Sequence, residues 1–325
     1  MAESIVGLGY GFTVIKCSDM KNRLLRCSLA ALLIFIAAGC QKEEFGWQED
    51  RFVEVMLNLS AAEVETRADQ PMIPANENPI YDLWVLQFDT EGIIIGKPEY
   101  YPCDEAGELS TTLSPKLRAG QSTVCVVANL GSDFEFKVGG RDVDNVTTFR
   151  AMLIDAPLIT EAGADQENIG HLKDRSMYMY GYFQGNITEK QSLNILLGRL
   201  FLRINLVLTN NTGAPLGDIT IKIGNIPAKT RIPFVDEPLA GDDVFTNYRE
   251  TIVLTGGLPE GTSTTHYYYM PENIRPAEER ATEVTITANG RSASVKLGND
   301  SPGVAENRDY SLNRNNIYKF NLNLR

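Results

Sequence analysis

From Leu200 to Leu208 the apolar residues Leu200, Leu202, Ile204, Leu206 and Leu208 fall on every second position. A strand points successive side chains to opposite faces, so this period puts all five on one side of a sheet and cannot make a helical stripe. The same period recurs along most of the chain. Val53, Val55, Leu57 and Leu59 alternate with Glu54, Met56 and Asn58, which reads as a half-buried first strand. Ile80 to Asp89 is apolar almost throughout, so it predicts a strand covered on both faces or an aromatic-lined edge, closed by the turn Thr90-Glu91-Gly92 and returning through Ile93 to Tyr101. Ser122 to Leu130 predicts another central strand.

Amphipathic helical stretches are few. Asp144 to Gly170 is the best helical candidate, with Phe149, Met152, Leu153 and Leu158 facing inward, and it predicts a short helix in a long connection. A second β region opens with Leu193 to Thr209. Further strands are expected at 219–226, 250–254, 265–270, 283–288 and 292–297, ending on Asn316 to Arg325. Strands every ~8–15 residues with turn signals between them imply β-sandwiches. The expected fold class is therefore all-β, with two sandwich domains at 68–188 and 189–325 and a short helical connection in the first.

The N-terminal segment obeys a different rule. Met20-Lys21-Asn22-Arg23-Leu24-Leu25-Arg26 is basic and runs into Leu29 to Ile36, then Ala37-Ala38-Gly39-Cys40. The apolar run is about a dozen residues, short of the ~18–20 that span a bilayer. A short apolar run ending in small residues is an export signal, here 1–39. Because Met20 begins a complete signal, residues 1–19 read as an upstream extension from a mis-assigned start. Ala-Gly-Cys at its end resembles a lipobox, which implies that the Cys40 thiol is alkylated with diacylglycerol and that cleavage falls just before it. Gln41-Lys42-Glu43-Glu44 resembles the acidic tag that sorts lipoproteins of the Bacteroidota to the outer leaflet. Multiple acyl chains at ~0.8 kcal/mol per buried CH₂ would hold such a precursor in the outer membrane.

No residues stand out for chemistry. The net charge of −12 argues against a nucleic-acid partner, which needs clustered Lys and Arg. Only two histidines occur, His171 and His266, and neither lies in a ligand spacing. There is no GxSxG elbow and no phosphate loop, so the chain is not read as an enzyme and no cofactor or metal is expected. Asp142-Val143-Asp144-Asn145 lacks the glycine turn and distal Glu of a calcium loop and reads as a solvated turn. Cys103 and Cys125 could pair in an oxidising compartment or sit as two semi-buried thiols, and spacing does not choose between these. Tyr267-Tyr268-Tyr269 could form a platform for sugars or, more simply, an aromatic strand split between core and edge.

Taken in order, the lipobox at Cys40, Leu83-Trp84-Val85-Leu86-Gln87-Phe88-Asp89 with Gly92, Val126 to Leu130, Met179-Tyr180-Gly181, Leu200 to Ile204 and Tyr269-Met270-Pro271-Glu272-Asn273-Ile274-Arg275 resemble the fimbrillin family, subunits of the type V pili of Bacteroidota. The resemblance implies two transthyretin-like β-sandwiches, other pilus subunits as partners, adhesion to host or bacterial surfaces, and a mature form in extracellular fimbriae. It also implies an arginine-specific protease that cuts the lipidated precursor after its first strand. The matching bond here is Arg67–Ala68, in a polar stretch suited to proteolysis. Loss of residues 40–67 would remove Val53, Val55, Leu57 and Leu59. At ~1.5–3 kcal/mol per buried side chain, that is roughly 6–12 kcal/mol of packing. The terminal residues Tyr318, Phe320, Leu322 and Leu324 share the same alternation and are the expected donor strand for a neighbour's empty slot. The alternative is that 316–325 closes its own domain. Other roles kept open are an anchor or tip subunit that retains its first strand, and a glycan-binding surface lipoprotein.

Overall fold

The structure is a computed structural model that describes residues 51–62, 79–103, 109–156, 177–239, 250–275, 277–298 and 309–325. Phe52–Arg325 forms one compact unit, nearly all strand. Its first sheet has seven strands: β2 (Met56–Ala61), β3 (Asp82–Phe88), β4 (Glu99–Pro102), β5 (Ser110–Leu113), β7 (Gly120–Ala128), β11 (Met179–Ile187) and β12 (Ser192–Arg199). Their order is β4-β3-β7-β11-β12-β2-β5, antiparallel except for the parallel pair β12–β2. A short pair beside it joins β1 (Phe52–Glu54) to β6 (Lys116–Arg118). The two halves of the sheet share one core. Leu83 and Val85 of β3, Val124 and Val126 of β7 and Met179 of β11 pack together with Leu193, Ile195 and Leu197 of β12 and with the first strand. Gly181 lets β11 and β12 lie this close, because a Cβ there would meet the Leu196 carbonyl oxygen at 2.3 Å.

The second sandwich pairs two sheets. One is β17-β13-β20, made of β13 (Phe201–Asn210), β17 (Ser263–Pro271) and β20 (Ile317–Leu324). The other is β16-β14-β18-β19, made of β14 (Ile219–Gly224), β16 (Glu250–Leu254), β18 (Glu283–Ala288) and β19 (Arg291–Lys296). Leu202, Ile204, Leu206 and Leu208 of β13 face Ile219, Ile221 and Ile223 of β14 and Val284 and Ile286 of β18 across a common core. The all-β fold class follows from the period-two pattern as expected.

Three details depart from the expectations. The run Leu193–Thr209 is two strands, not one. β12 belongs to the first sheet, although it lies beyond the expected boundary at 188, and the chain passes to the second sandwich at Leu200, whose N–H donates to the Tyr178 carbonyl (2.9 Å). Leu200 packs with a different cluster from Leu202, Ile204, Leu206 and Leu208, because the crossover turns it away from their face. The helix is a single α1 (Val146–Ala151), capped by Asn145, whose Oδ1 accepts from the Thr148 N–H. Phe149 and Met152 are buried, but Leu153 begins β10 (Leu153–Asp155), which pairs with β15 (Lys229–Arg231), and points outward at 38% exposure. Leu158 lies outside the described residues.

A third cluster covers the outer face of the first sheet. Leu86, Phe88, Cys125 and Val127 pack under Phe149 of α1 and Phe136, and Phe201 and Tyr269 reach the same cluster from the second sandwich. This explains the unbroken apolar run in β3, which is buried on both faces as its sequence required. At the tip of β3, Asp89 Oδ1 accepts from the N–H groups of Glu91 and Ile93, and Gly92 takes a φ of 80° to close the turn.

Asn129 ties this region together from a left-handed conformation, φ 68°. Its Oδ1 accepts from the Tyr81 N–H (2.8 Å), and its Nδ2 donates to the carbonyls of Pro79 and Met177 (2.9 Å each). Replacing it with Ala strands three backbone groups, that of Met177 buried and those of Pro79 and Tyr81 partly so, and keeps a strained φ, so Asn129→Ala is expected to cost about 3 kcal/mol in urea unfolding. His266 on β17 is half-buried opposite Leu206, and burial lowers its pKa from the ordinary value. The fold therefore favours the neutral ring, while the unfolded chain takes up the proton from about pH 6.5 downward. Stability should fall as pH drops through that range. His266→Gln is expected to flatten the decline of Tm between about pH 7 and about pH 5 relative to the unchanged chain, as read by calorimetry.

Candidate assembly site

The first strand lies inside its sheet, between β12 and β5. Leu57 and Leu59 are opposite Leu193 and Ile195 on the parallel side and opposite Leu113 and Thr111 on the antiparallel side. Val55 and Leu57 have no exposed surface, Leu59 has 1%, and Val53 has 6%. Backbone bonds fix the register at both ends, from the Met56 N–H to the Gln191 carbonyl (2.9 Å) and from the Ala62 N–H to the Leu197 carbonyl (2.8 Å). On the opposite face the Asn58 Nδ2 donates to Ser192 Oγ and Asn194 Oδ1, both at 2.9 Å. All four residues named for the displaced strand therefore share one core. Without them β12 would present an unpaired edge, β5 would have no partner in the sheet, and β6 would lose β1.

The terminal strand β20 is the outer strand of its sheet, parallel to β13. Tyr318 is opposite Ile204, Phe320 opposite Leu206, Leu322 opposite Leu208 and Leu324 opposite Asn210. The Asn211 N–H donates to the Leu324 carbonyl (2.8 Å), which closes the far end. Tyr318 is buried at 9% exposure, while Phe320, Leu322 and Leu324 are half-buried at the margin of the second core. In this single chain the expected donor strand sits on its own sandwich. On one side its place matches that of β2, although β2 also has β5 on its other side. Each lies parallel to an apolar strand (β13 or β12) whose other side carries an antiparallel partner (β17 or β11).

Cys40, Arg67, Ala68 and His171 lie outside the described residues. Cys103 packs against the core of the first sheet and Cys125 against the cluster on its outer face, so the sheet separates the two thiols and no disulfide joins them. Burial pushes the Cys125 thiol up to about 11, opposed by its contact with the Tyr180 hydroxyl (3.4 Å) and by the Arg150 charge.

The tyrosine run does not form a platform. Strand alternation, together with the crossover cluster, buries Tyr268 (1%) and Tyr269 (5%) and leaves only Tyr267 outside, with the Arg203 guanidinium 4.5 Å from its ring centre. Asp144 accepts from Asn145 Nδ2 and Thr148 Oγ1 at the start of α1, so its carboxylate serves the helix terminus. Among the described residues no group of three or more His, Cys, Asp or Glu side chains is placed to hold a metal. The segment Pro271-Glu272-Asn273 is structural. Asn273 Nδ2 donates to the carbonyls of Asn225 and Arg280 and to Thr282 Oγ1, and Glu272 forms a buried ion pair with Arg314.

No family model and no curated protein sequence matches the chain. Solved structures do. A proposed cell-adhesion protein from Parabacteroides distasonis superposes with a TM-score of 0.58 at 16% identity, covering 83% of this chain and 88% of that one. The tip fimbrial protein Mfa3 from Porphyromonas gingivalis, with a C-terminal truncation, gives 0.57 at 15% identity over 83% and 94%. A proposed cell-adhesion protein from Bacteroides eggerthii gives 0.56 at 14% identity over 84% and 86%. At these identities the likeness speaks for architecture, and in architecture the chain is fimbrillin-like.

Proposed function

We propose that this chain is a structural subunit of a surface pilus that serves adhesion. It is exported as a lipoprotein through Cys40, cut between Arg67 and Ala68 by an arginine-specific protease, and polymerised by donor-strand exchange with other pilus subunits. The observation that carries the reading is the parallel pairing that β2 and β20 share on one side. Both are alternating strands laid parallel on an apolar neighbour, so a β20 from another copy could enter the β2 slot with the same strand direction and the same pleat.

The magnitudes favour exchange over a trimmed monomer. Removing the first strand subtracts roughly 6–12 kcal/mol of packing, comparable with the ~5–15 kcal/mol net stability of a whole domain. A trimmed body with an empty slot would be marginal, and a donor restores it. A second reading is an anchor or tip subunit that keeps its first strand. It is supported by the complete seating of Val55, Leu57 and Leu59 and by the likeness to a tip fimbrial protein.

Four measurements test these readings. Arg67→Ala is expected to leave Cys40 as the mature N-terminus, whereas an unchanged, trimmed N-terminus would remove the processing step. Deletion of 316–325 should abolish SDS-resistant ladders of protein sheared from cells. A synthetic 316–325 peptide should raise the Tm of trimmed protein, and ladders that persist together with a peptide that does nothing would end the donor role. In the uncut chain, Leu57→Ala should cost about 2–5 kcal/mol in urea unfolding, and Leu322→Ala at its half-exposed edge about 1 kcal/mol.

A further inference from the structure

On the outer face of the first sheet, past the cover given by α1, β7 and β11 floor an open cleft of about 550 Å³. That is within the range of small-molecule sites. Tyr182 and Phe234, among the most exposed aromatic side chains described at 60% and 53%, both line it. One exposed ring on a surface is ordinary, but here two lie along the same cleft, Phe234 with the Arg314 guanidinium 5.9 Å from its ring centre. Tyr182 is held in place by stacking on Tyr180, with ring centres 6.1 Å apart and planes at 22°. Gln184 and Thr123 lie opposite each other on the floor, and Gln121 continues it along β7. Arg150, at the exposed end of α1, completes the lining. It makes no ion pair among the described residues, and its charge is felt at Cys125 and Tyr180 beneath the cleft.

We propose that this cleft binds a short oligosaccharide. The carbon face of a sugar ring is apolar and stacks on an aromatic ring, while its edge of hydroxyls needs side-chain amides, hydroxyls and a guanidinium. Tyr182 and Phe234 supply the first, and Gln121, Thr123, Gln184 and Arg150 supply the second. Nucleic acid is disfavoured by the net charge of −12. The site is separate from Tyr267–Tyr269 and does not depend on polymerisation.

The test is an array of defined neutral and carboxylate-bearing oligosaccharides probed with the intact purified chain, followed by titration of the glycans it retains. Tyr182→Ala and Phe234→Ala are each expected to weaken binding about tenfold. Arg150→Met should remove the carboxylate-bearing members and spare the neutral ones. Gln184→Trp, which fills the cleft from a third exposed position, should abolish binding with no change in Tm. An array on which the unchanged chain retains no oligosaccharide overturns the proposal, as does binding that survives both Gln184→Trp and the Tyr182→Ala, Phe234→Ala double variant. Ladder formation scored on the same preparations separates this outcome from failure of the pilus reading, since loss of sugar binding with intact ladders concerns the cleft alone.

Discussion

The packing of Val53, Val55, Leu57 and Leu59 against β12 holds the core of the first sheet together. These side chains come from the start of the described chain yet contact strands more than a hundred residues later, and Leu57 opposite Leu193 is the centre of the contact. Because β12–β2 is the one parallel pair in that sheet, no short turn could supply this strand from β12 itself. It must arrive from a distant part of the chain or from another molecule. Under the proposed exchange, that topology is what distinguishes this position from a hairpin strand such as β18 or β19.

Much of the fold was legible because period two is a strong constraint. The pattern in Leu202–Leu208 and Val53–Leu59 predicts which side of the sheet is buried, and the structure buries each of those apolar residues, although Asn205 between them is buried too. What was not legible needed knowledge of a third layer. Leu200 continues the alternation of Leu202–Leu208 in sequence, but it falls at the crossover and serves the cluster between the sandwiches. Leu153 sat on the expected inner face of a helix that in fact stops at Ala151 and gives way to β10. The three tyrosines were ambiguous for the same reason. Alternation alone would put Tyr267 and Tyr269 on one side, yet the crossover cluster buries Tyr269 and leaves Tyr267 outside.

The assembly residues were legible as strands, but not in their placement. Nothing in the alternation of Tyr318, Phe320, Leu322 and Leu324 says whether they lie on their own sheet or are offered to another, because both uses need the same pattern. The cleft was invisible for a different reason. Phe234 belongs to a segment distant from Tyr182 and Gln184 of β11, and a strand whose outward residues are Tyr, Tyr, Gln and Asn reads as an ordinary wet face until the third layer is seen to stop short of it.

The half-burial of β20 bears on the direction of the proposed exchange. On its own sandwich Phe320, Leu322 and Leu324 remain partly in water at an outer edge, with β13 on one side only. The β2 position offers hydrogen-bonding partners on both sides and burial that is complete for Val55 and Leu57. A terminal strand that leaves the first environment for the second gains apolar burial and one additional ladder, each of which is favourable. The opposing terms are the exposed edge left on β13 and the entropy of association. A chain with its first strand in place has no such slot to offer. Under the proposed mechanism removal of that strand is therefore what tips the balance, and a precursor still carrying residues 52–61 stays monomeric.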